Sequence, residues 1–172
     1  FFMMYKKLNI DIPDLDIDRI RGEGQWKSGP FVEYSFLDKR YLKQKFLDCF
    51  KFKIPPDNAN LTIISYPGTS CHHDLWPVAL NYYLDASDDD ITYIYKKVNE
   101  DGIRLPELTF YDESDLVQVD SFVAKAKELV VLSTREIHKV VIREPSRSRH
   151  ILRMYWLAHR GITIDNIDTV FA

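Results

Sequence analysis

The chain of 172 residues is 45% hydrophobic and 13% aromatic, enough material for the core of one domain. Charged residues make up 28% and nearly cancel, leaving a net charge of −3, which argues against the broad basic field of a nucleic-acid surface. No apolar run approaches the roughly 18 residues of a membrane helix. The opening Phe1-Phe2-Met3-Met4-Tyr5-Lys6-Lys7 is too short an apolar stretch for a secretory signal, and its first residue suggests a partial reading. The two cysteines, Cys49 and Cys71, cannot build a disulfide framework, so a reducing cytoplasm is the default location.

There is no internal repeat, low-complexity tract or clear interdomain linker, and a single domain over residues 1–172 is expected. Its first part, residues 1–56, reads as an N-terminal arm and a supporting helix. Pro13, Gly22, Gly24, Gly29 and Pro30 break the arm into short extended pieces. Asp38 is a plausible N-cap, Leu42, Phe46, Leu47 and Phe50 recur at helical spacing, and Pro55-Pro56 closes the segment. The core is expected over residues 57–172. Leu61 to Tyr66 is a β-branched and aromatic run stopped by Pro67-Gly68. Further strands are expected over Val78 to Leu84, Ile91 to Tyr95, Leu129 to Leu132, Lys139 to Ile142 and His150 to Trp156. Many short strands after one helix predict a mainly β fold, a sandwich or barrel with flanking helix. The polar stretch from Lys97 to Lys127 reads as a long loop and a candidate substrate lid.

Chemistry concentrates at the strand ends. Side chains at i and i+2 of a strand share a face, so His72 and Asp74 can address one ion. His138, between the runs Val130-Val131-Leu132 and Val140-Val141-Ile142, can come from a second strand as the third ligand. Two imidazoles and one carboxylate leave open coordination positions, the arrangement of non-haem Fe(II) oxygenases. Arg149 follows eleven positions after His138 (138 to 149) and opens an aromatic strand. His73 is an alternative ligand, but as the neighbour of Asp74 it would face the other way.

These motifs resemble a family in their order. Ile64-Ser65-Tyr66-Pro67-Gly68, His72-x-Asp74, Asn81-Tyr82-Tyr83-Leu84-Asp85, Leu129-Val130-Val131-Leu132, Ile137-His138-Lys139-Val140 and Arg149 to Trp156 look like the prolyl 4-hydroxylase-like branch of the Fe(II)/2-oxoglutarate-dependent dioxygenases. The resemblance spans roughly Leu61 to Leu157. It implies a double-stranded β-helix (jelly roll), Fe(II) on His72, Asp74 and His138, and 2-oxoglutarate as cosubstrate, with ascorbate as an accessory cofactor. It implies that Arg149 pairs with the distal carboxylate of 2-oxoglutarate and that Tyr66 and Tyr83 hydrogen-bond the cosubstrate. A guanidinium suits that role because it meets a planar carboxylate with two parallel hydrogen bonds. Halogenating relatives lack the ligand carboxylate, so Asp74 implies hydroxylation. The partners implied are 2-oxoglutarate, O2 and a prime substrate, a protein side chain or small molecule, with no membrane and no nucleic acid.

Other readings stand beside this one. A cupin-like metal enzyme without 2-oxoglutarate would need the three ligands but not the arginine, and a non-catalytic jelly-roll binding module would need none of the four. Arg153 shares the strand face of Arg149 and is the alternative anchor. The acidic run Asp85 to Asp90 fails as a calcium loop, having Asp90 and Lys96 where Gly and Glu are required, and reads as a solvated turn. Arg143, Arg147, Arg149 and Arg153 read as a charged turn plus strand. Trp76, Tyr82, Tyr155 and Trp156 are expected in the core, and Cys71 as a packing residue.

Overall fold

The computed structural model describes residues 4–12, 14–15, 26–28, 32–36, 47–85, 89–98, 103–104, 108–157 and 161–172. Most of the expected helix, from Asp38 through Phe46, lies outside these residues. Its described end is a short turn, α1 (Asp48–Phe50), followed by Lys51 in the left-handed region at φ 50°.

Among the described residues, thirteen strands make two antiparallel sheets. The N-terminal arm contributes β1 (Tyr5–Leu8), β2 (Trp26–Ser28) and β3 (Val32–Phe36). The core strands are β4 (Asn58–Ser65), β5 (His72–Asp74), β6 (Ala79–Tyr83) and β7 (Ile91–Lys97), then β10 (Leu116–Val123), β11 (Leu129–Leu132), β12 (Ile137–Val141) and β13 (Ser148–Tyr155). Between them lie β8 (Ile103–Arg104) and β9 (Leu108–Phe110). The large sheet runs β1-β11-β6-β13-β4-β3-β2, and the small one β10-β7-β12-β5-β9-β8. Successive core strands β4 to β7 and β10 to β13 alternate between the sheets, apart from the insertion before β10. That order is a jelly roll, as expected from the sequence.

The central strands of the large sheet are buried on both faces. Outward, Leu61, Leu80, Tyr82, Leu129, Val131, Leu152 and Met154 pack with Phe50, Trp156, Ile162, Ile164, Ile167 and Val170. Inward, Ile64, Tyr83, Val130, Leu132 and Ile151 meet Ile94, Phe122, Val140 and Ile142 of the small-sheet side. Two-sided burial is why β11 reads as an unbroken apolar run and why β6 is apolar or aromatic except at Asn81.

The 97–127 stretch departs from its expectation as a loop. Its described residues include β8, β9, a short 3-10 turn over Glu113–Asp115, and β10. β9 pairs with β5, placing Leu108 opposite Asp74 and Phe110 opposite His72. β10 is an edge strand with Val117 and Val119 exposed, so burial did not impose the apolar pattern that betrays a strand in sequence. Among the described residues, no helix is long and apolar enough to cross a membrane.

Candidate metal centre

β12 runs antiparallel to β5 and sets His138 directly opposite His72, with ring centroids 4.4 Å apart. Asp74, two residues along β5, returns to the same face. His72 Nε2 lies 3.6 Å from Asp74 Oδ1, and His138 Nε2 lies 3.9 Å from Asp74 Oδ2. Both distances are below twice the roughly 2.1 Å of a typical nitrogen or oxygen bond to a transition metal such as zinc. All three residues are buried, and among the described residues they are the group of metal-binding side chains that converges.

The histidines are already oriented. His72 Nδ1 is 2.7 Å from the Ser70 carbonyl, and His138 Nδ1 is 2.8 Å from the Glu136 carbonyl. A carbonyl only accepts, so each Nδ1 carries the proton and each Nε2 turns its lone pair inward. Burial, reinforced by the neighbouring His72, lowers the His138 pKa to about 4, which keeps that imidazole neutral and available. Burial works against ionisation of Asp74, while His138, His72 and the guanidinium of Arg153 work for it, and its carboxyl stays below the ordinary value. Of these, Arg153 is the permanently charged one. The Asp74 amide also donates to Thr134 O at 2.8 Å, fixing the end of β5. Two imidazoles held through Nδ1 and a carboxylate, converging on one point, fit a divalent transition metal.

His73 points away from this group, with Nδ1 2.8 Å from the hydroxyl of Tyr111, so the pair of β5 that converges with His138 is His72 and Asp74.

The triad lines a cavity of about 280 Å³ between the sheets. Arg149, Ile151, Arg153 and Tyr155 occupy alternate positions of β13 and share its inner face. Arg153 lines the cavity and places Nη2 3.4 Å from Asp74 Oδ2. Arg149 is fully buried at the other end of the strand. Its Nη1 donates to Thr92 Oγ1 at 3.3 Å, and its guanidinium lies 4.2 Å from the centre of the Tyr83 ring. Among the described residues, its Nε and Nη2 have no hydrogen-bond partner. Burial lowers its pKa from the ordinary value.

Tyr83 and Thr92 line the cavity, but Tyr66 does not. β4 ends at Ser65, so Tyr66 begins a turn and its side chain is 49% exposed. That turn docks on β12: Thr69 N donates to Val140 O at 2.9 Å, and Ile142 N donates to Pro67 O at 3.0 Å.

The acidic run is more than a solvated turn. Asp90 is buried and accepts from Arg147 Nη2 at 2.9 Å, and Asp85 Oδ1 accepts from His150 N at 2.6 Å. Residues 86–88 lie outside the described ones. The two carboxylates hold Arg147 and His150, flanking the position of Arg149. The basic run is thereby dispersed rather than gathered on one surface.

The cavity also uses side chains not singled out from the sequence as site residues: Asn58, Asn60, Thr62, Asn81 and Thr92, with Trp76 and Tyr155, which had been assigned to the core. A signal existed. Asn58-x-Asn60-x-Thr62 puts polar residues at alternate positions of a strand whose intervening residues are apolar.

Fold and site together define a jelly-roll protein with a candidate three-ligand metal centre. No family profile and no curated protein matches the sequence. Among solved structures, it is similar to ycfD of E. coli, at 11% identity and a TM-score of 0.49 over 88% of this chain and 49% of that one. Oxalate decarboxylase from Bacillus subtilis gives 10% identity and 0.45 over 88% and 37%. Vicilin from Corylus avellana (hazelnut) gives 10% and 0.43 over 84% and 37%. The chain thus spans less than half the length of each, and these likenesses carry no argument about activity. The jelly-roll assignment stands on strand order.

Proposed function

We propose that the chain is an Fe(II)- and 2-oxoglutarate-dependent dioxygenase that hydroxylates a protein side chain or a small molecule. The observation that carries this reading is Arg149, a cation wholly buried with two guanidinium nitrogens unanswered. Such a group is costly unless an anion meets it. A cupin-like metal site without a cosubstrate has no use for it.

When bound, iron and 2-oxoglutarate together activate O2, so that 2-oxoglutarate becomes succinate and CO2 and one oxygen atom passes to the substrate. The chain's residues do the holding. His72, Asp74 and His138 supply one ligand atom each, with the imidazoles fixed through Ser70 O and Glu136 O. Arg149 takes the distal carboxylate, with Thr92 beside it and Tyr83 as the wall between guanidinium and cavity. The enclosure excludes water, which strengthens each charged contact.

A second reading, a cupin-like metal enzyme that does not use 2-oxoglutarate, is favoured by one detail. Tyr83 covers the Arg149 guanidinium, which does not itself line the cavity, and Tyr66 stands outside. Succinate formation from 2-oxoglutarate, with and without Fe(II), separates the two. Iron-dependent succinate supports the oxygenase. Tight metal binding with no succinate, and no absorption change on adding 2-oxoglutarate to the iron form under argon, supports the cupin-like enzyme.

A further inference from the structure

The inner face of the large sheet carries its polar groups in rows. Arg153 lies opposite Asn60 on one neighbouring strand and Asn81 on the other. Tyr155 follows on β13, and Trp76 packs against it with ring centroids 5.1 Å apart. These residues and Asn58 all line the cavity that holds His72, Asp74 and His138. Four of the six have buried atoms with no partner among the described residues: Asn58 Oδ1, Asn81 Oδ1, Trp76 Nε1 and Arg153 Nε.

Native proteins rarely leave buried polar atoms unanswered, and here they gather on one wall of one cavity. They form a set of two acceptors, one neutral donor and one cationic donor, next to an aromatic pair. Arg149 does not belong to this set. It stands four residues from Arg153 on the same strand, about 13 Å at the usual rise. Asp74 answers Arg153 alone, so Arg149, Arg153 and Asp74 together carry one excess positive charge. A divalent ion on the triad and a dianion at Arg149 would cancel and leave that excess for a further anion. The cavity, about 280 Å³, falls just below the range of roughly 300–1,000 Å³ usual for ligand sites, which favours a small occupant.

We infer that this wall is the prime-substrate subsite and takes a small carboxylic acid bearing an amino, amide or hydroxyl donor beside its carboxylate, a free α-amino acid being the simplest. Arg153 Nε and Trp76 Nε1 donate to the carboxylate. Asn58 and Asn81 accept from the adjoining donor, and Trp76 and Tyr155 flank the apolar remainder. Only the fate of the bound acid rests on the oxygenase reading; its binding does not.

The test is calorimetric titration of the Mn(II)-loaded full chain, with and without 2-oxoglutarate, using the standard L-amino acids and their carboxamides. At least one free acid is expected to bind, with its carboxamide about tenfold or more weaker, because a neutral amide cannot meet the guanidinium as a carboxylate does. Arg153→Gln should bring the free acid down to the carboxamide's level. If that variant fails to fold, the acid and amide pair on the native chain still reads the claim, and Trp76→Phe, which keeps a ring and removes the donor, should weaken the acid several-fold. Binding of no amino acid to chain that has taken up Mn(II), or equal binding of acid and carboxamide, overturns the inference. Failure of 2-oxoglutarate to bind in the same titrations counts against the oxygenase reading alone.

Discussion

His72 and His138 face each other across the β5–β12 pair, and both turn Nε2 toward Asp74 because a backbone carbonyl holds each Nδ1. The ligand set is thus divided between two strands that tertiary folding brings together. Replacing His72, Asp74 or His138 by Ala should lower divalent-metal affinity by more than the 10–100-fold usual for losing an outer-shell partner. His73→Ala, facing Tyr111, should leave affinity nearly unchanged. Equilibrium dialysis with Fe(II) or Mn(II) decides it; iron binding by His138→Ala equal to the parent would refute the assignment.

In the proposed oxygenase, substitutions of Arg149 are expected to separate cosubstrate binding from metal binding. Loss of a charge-assisted pair in a dry pocket should cost on the order of 2–5 kcal/mol. Arg149→Ala should therefore raise the 2-oxoglutarate requirement more than tenfold with iron affinity little changed. Arg149→Lys should recover only part, since an ammonium cannot reproduce the fork. If Arg153→Ala gives this pattern and Arg149→Ala does not, Arg153 is the anchor.

Asp90 acts on the same site from outside it. It is buried and holds Arg147, two residues before Arg149. Asp90→Ala should cost roughly 1–3 kcal/mol in stability, measured by urea unfolding. It should also weaken 2-oxoglutarate more than metal, because it loosens the start of β13 and not β5. Equal weakening of both would point to general destabilisation.

Gly68 fixes the turn between β4 and β5. Its φ is +112°, and a Cβ there would stand 1.9 Å from the Val140 carbonyl oxygen. Relief requires backbone movement in β12, which carries His138. Gly68→Ala should destabilise by about 3 kcal/mol or more and lower metal affinity. A variant as stable as the parent in urea would show that the turn can relax independently of β12.

Cys71 precedes the ligand strand but is not a reactive thiol. Burial, with Glu113 nearby, raises its pKa to about 11, so at pH 8 it is overwhelmingly the neutral thiol. Alkylation by iodoacetamide at pH 8 should be slow in the folded protein and fast in denaturant. Labelling at the same rate in both, read by mass spectrometry, would place the thiol at the surface.

The strands buried on both faces were legible. Leu129 to Leu132 matches β11 residue for residue, and the expected starts or ends of β4, β6, β12 and β13 shift by one to three residues. That His72 and Asp74 share a face was legible too, because His-x-Asp fixes that wherever the segment is extended. The insertion was not: β9 contributes only a few residues, β10 lies at an edge, and neither needs the apolar pattern that marks a buried strand. The cavity wall of Asn58, Asn60 and Asn81 was missed because a polar residue's value depends on what faces it across strands.

By itself, the sequence determined local matters: which runs are extended, which residues alternate inward, and which donor atoms stand in pairs. Tertiary structure alone decided that His138 meets His72, that Arg153 sits beside Asp74 while Arg149 lies buried behind Tyr83, and that Tyr66 turns outward. Each of those facts depends on register between strands distant in sequence, and register is set by the summed packing of both sheets rather than by any one segment.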